Sequence, residues 1–172
     1  MMQDNDMNKS GNFRDGRWQV VRLKFLVDFL AAAGITTGRA AELMGLTRQA
    51  VYHWLAKDDM KISQICRLFE VCGYSIEFGL DKETAGTSAP VSVTMNLTKA
   101  EEKGRLDFLK NALSCHGISK NRLAESLHIG SATLYNWFKV DDCLISYIFR
   151  IAESEGFILK IRIEPKNQSF SL

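Results

Sequence analysis

The chain lacks any long apolar run, so we expect no membrane-spanning helix. Nowhere in its 172 residues is there a stretch of about 18 apolar residues, the length that a membrane-spanning helix needs. The opening residues MMQDNDMNKSGNFRDG also lack the apolar stretch of a secretory signal. We therefore expect a cytoplasmic protein that makes no membrane contact.

Cysteines are few, and they lack the spacing of a metal site. Cys66, Cys72, Cys115 and Cys143 follow none of the patterns that bind zinc. Because cysteine packs as a small apolar residue, we interpret them as buried, reduced thiols. His128 has no ligand partners nearby in the sequence, so neither a metal nor another cofactor is expected.

A marked basic excess is also missing, since the formal net charge is only +2. Nucleic-acid-binding proteins often carry a larger one, so any site for a polyanion must arise from a local arrangement of charge. No Ser/His/Asp set, Gly-rich phosphate loop or pair of catalytic carboxylates stands out either. We therefore do not expect an enzyme.

What the chain does contain is an internal duplication. AVYHWLAKDD and TLYNWFKVDD are separated by 83 residues (135 − 52 = 83), and the same offset aligns residues 22–80 with 105–163 without a gap. Twenty of the 59 aligned positions are identical. Two units of about sixty residues indicate a duplicated domain, and units this small are near the lower limit for an independent core.

Each copy shows the pattern of four helices. The first helix of the first copy is predicted from an apolar face, whose residues recur at helical spacing: Phe25, Leu26, Phe29, Leu30 and Ala33. Gly34 and Gly117 are placed to end the two first helices, and Asp15 and Thr98 are placed to cap their amino ends. The segments TGRAAELMG, LTRQAVYHWLAK and KISQICRLFEVCG predict the second, third and fourth helices of the first copy.

A β-strand is predicted after each set of helices. YSIEFGL and FILKIRIE alternate apolar with polar or small residues, which is typical of a strand with one buried face. Glu77 carries the opposite charge to Lys160 and Arg162, and such pairs favour antiparallel strands. The predicted fold is mainly α with a small β element, a duplicated four-helix domain in which each copy ends in a strand and the strands pair.

This pattern also predicts where the domains begin and end. We expect a flexible lead-in at 1–14, a first domain at 15–80, a linker at 81–97, a second domain at 98–164 and a tail at 165–172. The linker segment PVSVTMNL is a candidate for an extra strand. Asp59 and Asp142 precede the fourth helices, where a carboxylate meets the positive end of the helix dipole.

The spacing of Ala41, Gly45, Val51 and Trp54 resembles the helix-turn-helix of the Cro/repressor family, and the second copy repeats it. In that family the small alanine lets two helices cross closely, and the glycine takes the turn. His128 stands in place of this glycine in the second copy, and histidine tolerates a positive φ better than most residues. The resemblance implies that Trp54 and Trp137 are core anchors.

It also implies that the start and outward face of the third helix contact DNA. Arg pairs with guanine and Gln or Asn with adenine in the major groove, so Arg48 and Gln49 are the leading base readers. Lys57, Lys120 and Lys139 are candidates for phosphate contacts. The other predicted DNA-binding residues are Thr47, Tyr52, His53, Ser131, Thr133, Tyr135 and Asn136.

The expected function is sequence-specific binding of double-stranded DNA, as in a bacterial or phage transcriptional regulator. The two copies offer different outward faces, which indicates either two dissimilar half-sites or one reading copy beside a structural one. The alternative function is a protein-interaction or antitoxin-like module. In that case the terminal strands would hold a protein partner or a second copy of the chain.

Overall fold

The fold is known from a computed structural model, which describes residues 22–82 and 103–166. In these ranges each copy of the repeat forms four helices and a strand, as predicted. The first copy comprises α1 (Lys24–Ala32), α2 (Thr37–Met44), α3 (Arg48–Lys57), α4 (Ile62–Val71) and β1 (Tyr74–Asp81). The second comprises α5 (Asp107–Cys115), α6 (Lys120–Ser126), α7 (Ser131–Val140), α8 (Ile145–Glu155) and β2 (Ile158–Pro165).

The chain divides into two compact units, Met1–Asp59 and Met60–Leu172. This division falls inside the first copy, between α3 and α4, because β1 pairs with the strand of the second copy. The predicted lead-in and nearly all of the predicted linker, with its candidate strand, lie outside the described residues. So does most of the predicted tail, although Pro165 is the last residue of β2.

In the first unit, α1, α2 and α3 bury the apolar faces that their sequences predict. α2 and α3 pack against each other, and Gly34, with φ at 65°, follows the end of α1 as expected. The buried side chains of this unit are Leu23, Leu26, Phe29, Leu30, Ala40, Ala41, Met44 and Val51.

In the second unit, β1 and β2 form an antiparallel two-stranded sheet. Phe78 pairs with Ile161, which is its own counterpart 83 residues later. A separate bridge joins Lys61 to Leu144, which is also its counterpart. Two residues that each face their own equivalent define a local two-fold relation between α4–β1 and α8–β2.

β2 alternates half-buried with exposed side chains, as a strand with one inward face does, whereas β1 does not alternate. Glu77 and Asp81 are each only 5% exposed, because α4 and α5 both pack against β1. The register does place Glu77 opposite Arg162, but the ion pair of Arg162 is with Glu164 at 3.1 Å. Lys160 pairs with Asp81.

The predicted amino-terminal caps of the first helices were wrong. α1 begins at Lys24 and α5 at Asp107, with Leu23 and Leu106 at the cap positions, so Asp15 and Thr98 lie too far upstream to cap them. A side chain from the far end of the third helix fulfils that role in each copy, as described below. Asp15 and Thr98 themselves lie outside the described residues.

Candidate nucleic-acid interface

A three-residue turn connects α2 to α3. Gly45 adopts the left-handed conformation at φ 67° and ψ 33°, which glycine does without steric cost. The amide of Leu46 donates to the carbonyl of Ala41 at 2.9 Å, and this bond closes the turn. Thr47 then caps α3 as predicted, since its hydroxyl accepts from the amide of Ala50 at 3.3 Å.

The turn between α6 and α7 keeps the same hydrogen bonds without glycine. His128 takes a positive φ of 53°, and the amide of Ile129 donates to the carbonyl of Ala124 at 3.0 Å. Arg150 of α8 also donates to the carbonyl of Leu127. The prediction that histidine would preserve this turn is confirmed.

The outward face of α3 carries the predicted readers of the first copy. Val51 is 1% exposed and fixes the inward side, while Tyr52 is 51% exposed. The other predicted residues of this copy are exposed as well, namely Thr47, Arg48, Gln49, His53 and Lys57. Their spacing along the helix places them on one continuous polar surface.

Arg48 lies over a gap left by glycine. A Cβ built on Gly38 would come within 2.8 Å of its Nη2 atom, so the guanidinium rests against the first turn of α2. In the second copy the equivalent positions are Asn121 and Ser131, and a short side chain replaces the arginine. That paired change is the only sign of this contact in the sequence.

The outward face of α7 differs in chemistry but not in exposure. Tyr135 is 63% exposed, whereas Leu134 beneath it is buried. The remaining predicted residues of this copy are also exposed, namely Lys120, Ser131, Thr133, Asn136 and Lys139. The surface is made of hydroxyl groups, one amide and two lysines.

The two tryptophans were predicted as core anchors, and only one is fully buried. Trp137 is 7% exposed and contacts the ring of Tyr147 of α8, with centroids 4.3 Å apart. Trp54 is half-buried, so part of its indole reaches the surface of the first unit. In both copies the Tyr-x-Trp motif thus places the tyrosine outward and the tryptophan inward. The tryptophan is more deeply buried in the second copy.

Two aspartates fix the carboxyl ends of α3 and α7. Asp58 and Asp141 end α3 and α7 in the left-handed conformation, with φ at 50° and 56°. The Asp58 carboxylate accepts from the amides of Arg22 and Leu23, both at 2.7 Å. It thereby supplies the amino-terminal cap of α1 from 35 residues away.

Asp141 makes the same cap in the second copy, with more donors. Its carboxylate accepts from the amides of Gly104, Arg105 and Leu106 at 2.5, 2.7 and 3.0 Å, and the residue is only 8% exposed. The repeated Asp-Asp was the sequence signal for this contact. Its first member joins the end of the third helix to the start of the first helix of the same copy.

The second aspartate of the pair acts on a helix of the other copy. Asp142 was expected to lie at the amino end of α8, but its Oδ1 accepts from the amide of Ser63 in α4 at 3.0 Å. Its Oδ2 accepts from the Ser63 hydroxyl at 2.6 Å. The carboxylate of Asp142 therefore does bind the amino end of a helix, as expected. The helix is α4 of the first copy, however, and not α8.

Residues 22–82 and 103–166 contain no group of three or more His, Cys, Asp or Glu side chains arranged to hold a metal ion. No helix in these ranges has the length and apolar character to cross a membrane. Comparison of the chain with protein-family models, curated proteins and solved structures finds no match. Any function must be inferred from the two outward faces themselves.

Proposed function

We propose that the chain binds double-stranded DNA sequence-specifically through two helix-turn-helix units, α2–α3 and α6–α7. The observation that carries the proposal is the outward face of α3, where Arg48, Gln49, Tyr52 and His53 are exposed while Val51 is buried on the other side. In the cell this would make it a cytoplasmic transcriptional regulator of the bacterial or phage type.

The dimensions of α3 and α7 suit the major groove. Each has 10 residues, which corresponds to a length of about 15 Å, and the groove is about 12 Å wide and admits one helix. Arg48 carries the guanidinium that pairs bidentately with guanine, and Gln49 the amide that pairs with adenine. Both are at the start of α3, the end that a two-helix unit of this kind inserts.

One chain supplies two different readers. A symmetric dimer presents the same helix twice and reads a palindrome, whereas α3 and α7 differ at nearly every outward position. The preferred DNA should therefore be non-palindromic.

Selection of bound fragments from random duplex DNA tests this function. The full chain at low salt should enrich one non-palindromic motif over successive rounds. No retained duplex, or retained duplex with no motif, would overturn the proposal of sequence-specific binding.

A second candidate function, the holding of a protein partner, is favoured by the sheet. Among the described residues β1 and β2 each pair on one side only, and Ile158 is 45% exposed. An open strand edge is a template for a further strand. A stoichiometric protein complex that forms where no duplex is retained would favour this function over DNA binding.

A further inference from the structure

Four lysines surround Phe138 in the second copy. Lys103, Lys110 and Lys139 line a pocket of about 360 Å³ together with the Phe138 ring. Lys120 lies over that ring, with Nζ 5.1 Å from its centroid. We call these four residues the lysine patch. Since a water molecule occupies about 30 Å³ of liquid, the pocket has room for a phosphate group with several waters.

The first copy carries no lysine at the four equivalent positions of its sequence. At the positions equivalent to Lys103, Lys110, Lys120 and Lys139 it carries Val20, Val27, Thr37 and Ala56. All four changes between the copies therefore add positive charge to the same small region. This difference explains how a chain with a net charge of only +2 can still present a local site for a polyanion.

Two carboxylates that line the same pocket, Asp107 and Asp141, compensate part of this charge. Both pair with Lys110, Asp107 at 2.8 Å and Asp141 at 3.7 Å, and Asp141 also accepts from three backbone amides. Within residues 22–82 and 103–166, Lys103, Lys120 and Lys139 have no carboxylate at ion-pair distance. The hydrogen bond that Lys110 donates to Asp107 raises the pKa of this lysine, so it is charged at neutral pH as well.

The lysine patch is continuous with the outward face of α7. Lys139 is one helical turn beyond Tyr135 and Asn136, on the same side of the helix. The remaining outward residues of α7 include Ser131 and Thr133, whose short hydroxyl side chains contact phosphates readily. Copy two thus combines charge with short polar groups, while copy one carries Arg48 and Gln49.

We infer that the two copies make different contacts with DNA. The second copy binds the phosphodiester backbone through the lysine patch, and the first copy contacts base edges through Arg48 and Gln49. This inference rests on the proposed function. Phosphate contacts position a protein and carry no base preference, whereas contacts to base edges specify sequence. The lysine patch therefore determines the affinity for any duplex, and α3 determines the preference for one base sequence over another.

Salt dependence tests the inference. A triple variant with Lys103→Ala, Lys120→Ala and Lys139→Ala is compared with the unvaried chain on the selected duplex and on a random one. Each lost phosphate contact lowers the slope of log affinity against log salt by about 0.9, so the slope should fall by about 2 to 3. Affinity for both duplexes should fall by the same factor, so that their ratio is unchanged.

A charge-matched control separates the patch from net charge. Lys24→Ala, Arg162→Ala and Lys166→Ala remove the same charge elsewhere, on residues that make ion pairs with Asp28, Glu164 and Glu70. This control should keep the slope of the unvaried chain. The unfolding midpoint of both variants, followed by circular dichroism, should match that of the unvaried chain.

Four results would overturn the inference. If the unvaried chain binds DNA and the patch variant has the same salt slope, the lysine patch does not contact phosphates. This result would contradict the inference but not the proposed function. A patch variant that loses only the selected duplex would show that copy two reads bases. Tight binding of inorganic pyrophosphate with an unchanged DNA slope would assign the lysines to a small phosphorylated ligand. If no duplex is bound at all, both proposals fail together.

Discussion

Phe78 and Ile161 lie opposite each other in the β1–β2 ladder, and they are the same position of the repeat in its two copies (161 − 78 = 83). Lys61 and Leu144 repeat this relation at the bridge between the amino ends of α4 and α8. The bridge is flanked by hydrogen bonds from Ile62 to Cys143 at 2.9 Å and from Ile145 to Met60 at 2.8 Å. The second unit is thus assembled from both copies, as a dimer interface would be.

A chain cut between the copies should therefore stay together. If a protease site placed within residues 83–102 is cleaved, β1 remains paired with β2 over eight positions, and the buried apolar side chains around them keep the fragments associated. Size-exclusion chromatography after cleavage should give one peak at the mass of the intact chain. Two separate peaks, each a folded fragment, would contradict this pairing.

Loss of the aspartate caps should destabilise the two copies unequally. Both substitutions, Asp58→Ala and Asp141→Ala, force alanine into a positive φ. Asp141→Ala also leaves three amides without an acceptor, and two of these hydrogen bonds are buried, so it should cost about 2–4 kcal/mol. Asp58→Ala removes the partner of two amides at a half-buried site, and about 1–2 kcal/mol is expected.

Urea unfolding followed by circular dichroism measures both costs. Asp141→Asn is the matched control, because asparagine tolerates the left-handed conformation and retains one acceptor oxygen, so its cost should be smaller. Equal costs for Asp141→Ala and Asp141→Asn would show that the negative charge, and not the acceptor geometry, is what stabilises this contact.

These two caps also show where sequence reasoning reaches its limit. Positions that a helical period controls were predicted well, such as Leu26, Phe29 and Leu30 on the buried face of α1. Asp58, Asp141 and Asp142 act on amides between 35 and 79 residues away, and no local pattern encodes such a contact. The repeated Asp-Asp signalled a role, while its partners depended on the tertiary fold.

The exposure of the predicted readers followed from the same periodicity. Once Val51 and Leu134 are assigned to the core, the outward positions of α3 and α7 are fixed by the helix repeat. The resting place of Arg48 against Gly38 was not predictable, since it depends on an absent side chain in another helix. Nor was the clustering of Lys103 and Lys110 with Lys139, because these residues come from different elements.

The buried thiol of Cys66 should make the free energy of unfolding depend on pH in the alkaline range. Burial raises the pKa of its thiol from 9.0 to about 12, so between these values the folded chain keeps a proton that the unfolded chain has released. The free energy of unfolding should therefore fall as pH rises from about 9 towards 12. Cys66→Ala should lack this part of the fall when both are unfolded in urea across that range.

Thiol labelling provides an independent check on the same residue. Cys115 is exposed and Cys66 is buried, so a maleimide at pH 8 should modify Cys115 in the folded chain and Cys66 only after unfolding. Mass spectrometry of digested samples distinguishes the two sites. Rapid labelling of Cys66 in the native chain would contradict its burial in α4.

The most direct test of base reading by α3 is the preference of Arg48→Ala for duplexes that differ at single base pairs. Competition binding against the selected duplex should show a loss of about 1–3 kcal/mol of discrimination at one or two guanine-containing pairs, with the remaining preferences intact. Arg162→Ala, an equally charged change on the exposed side of β2, should retain every preference. If Arg48→Ala discriminates among these duplexes as the unvaried chain does, the outward face of α3 does not read DNA through this residue.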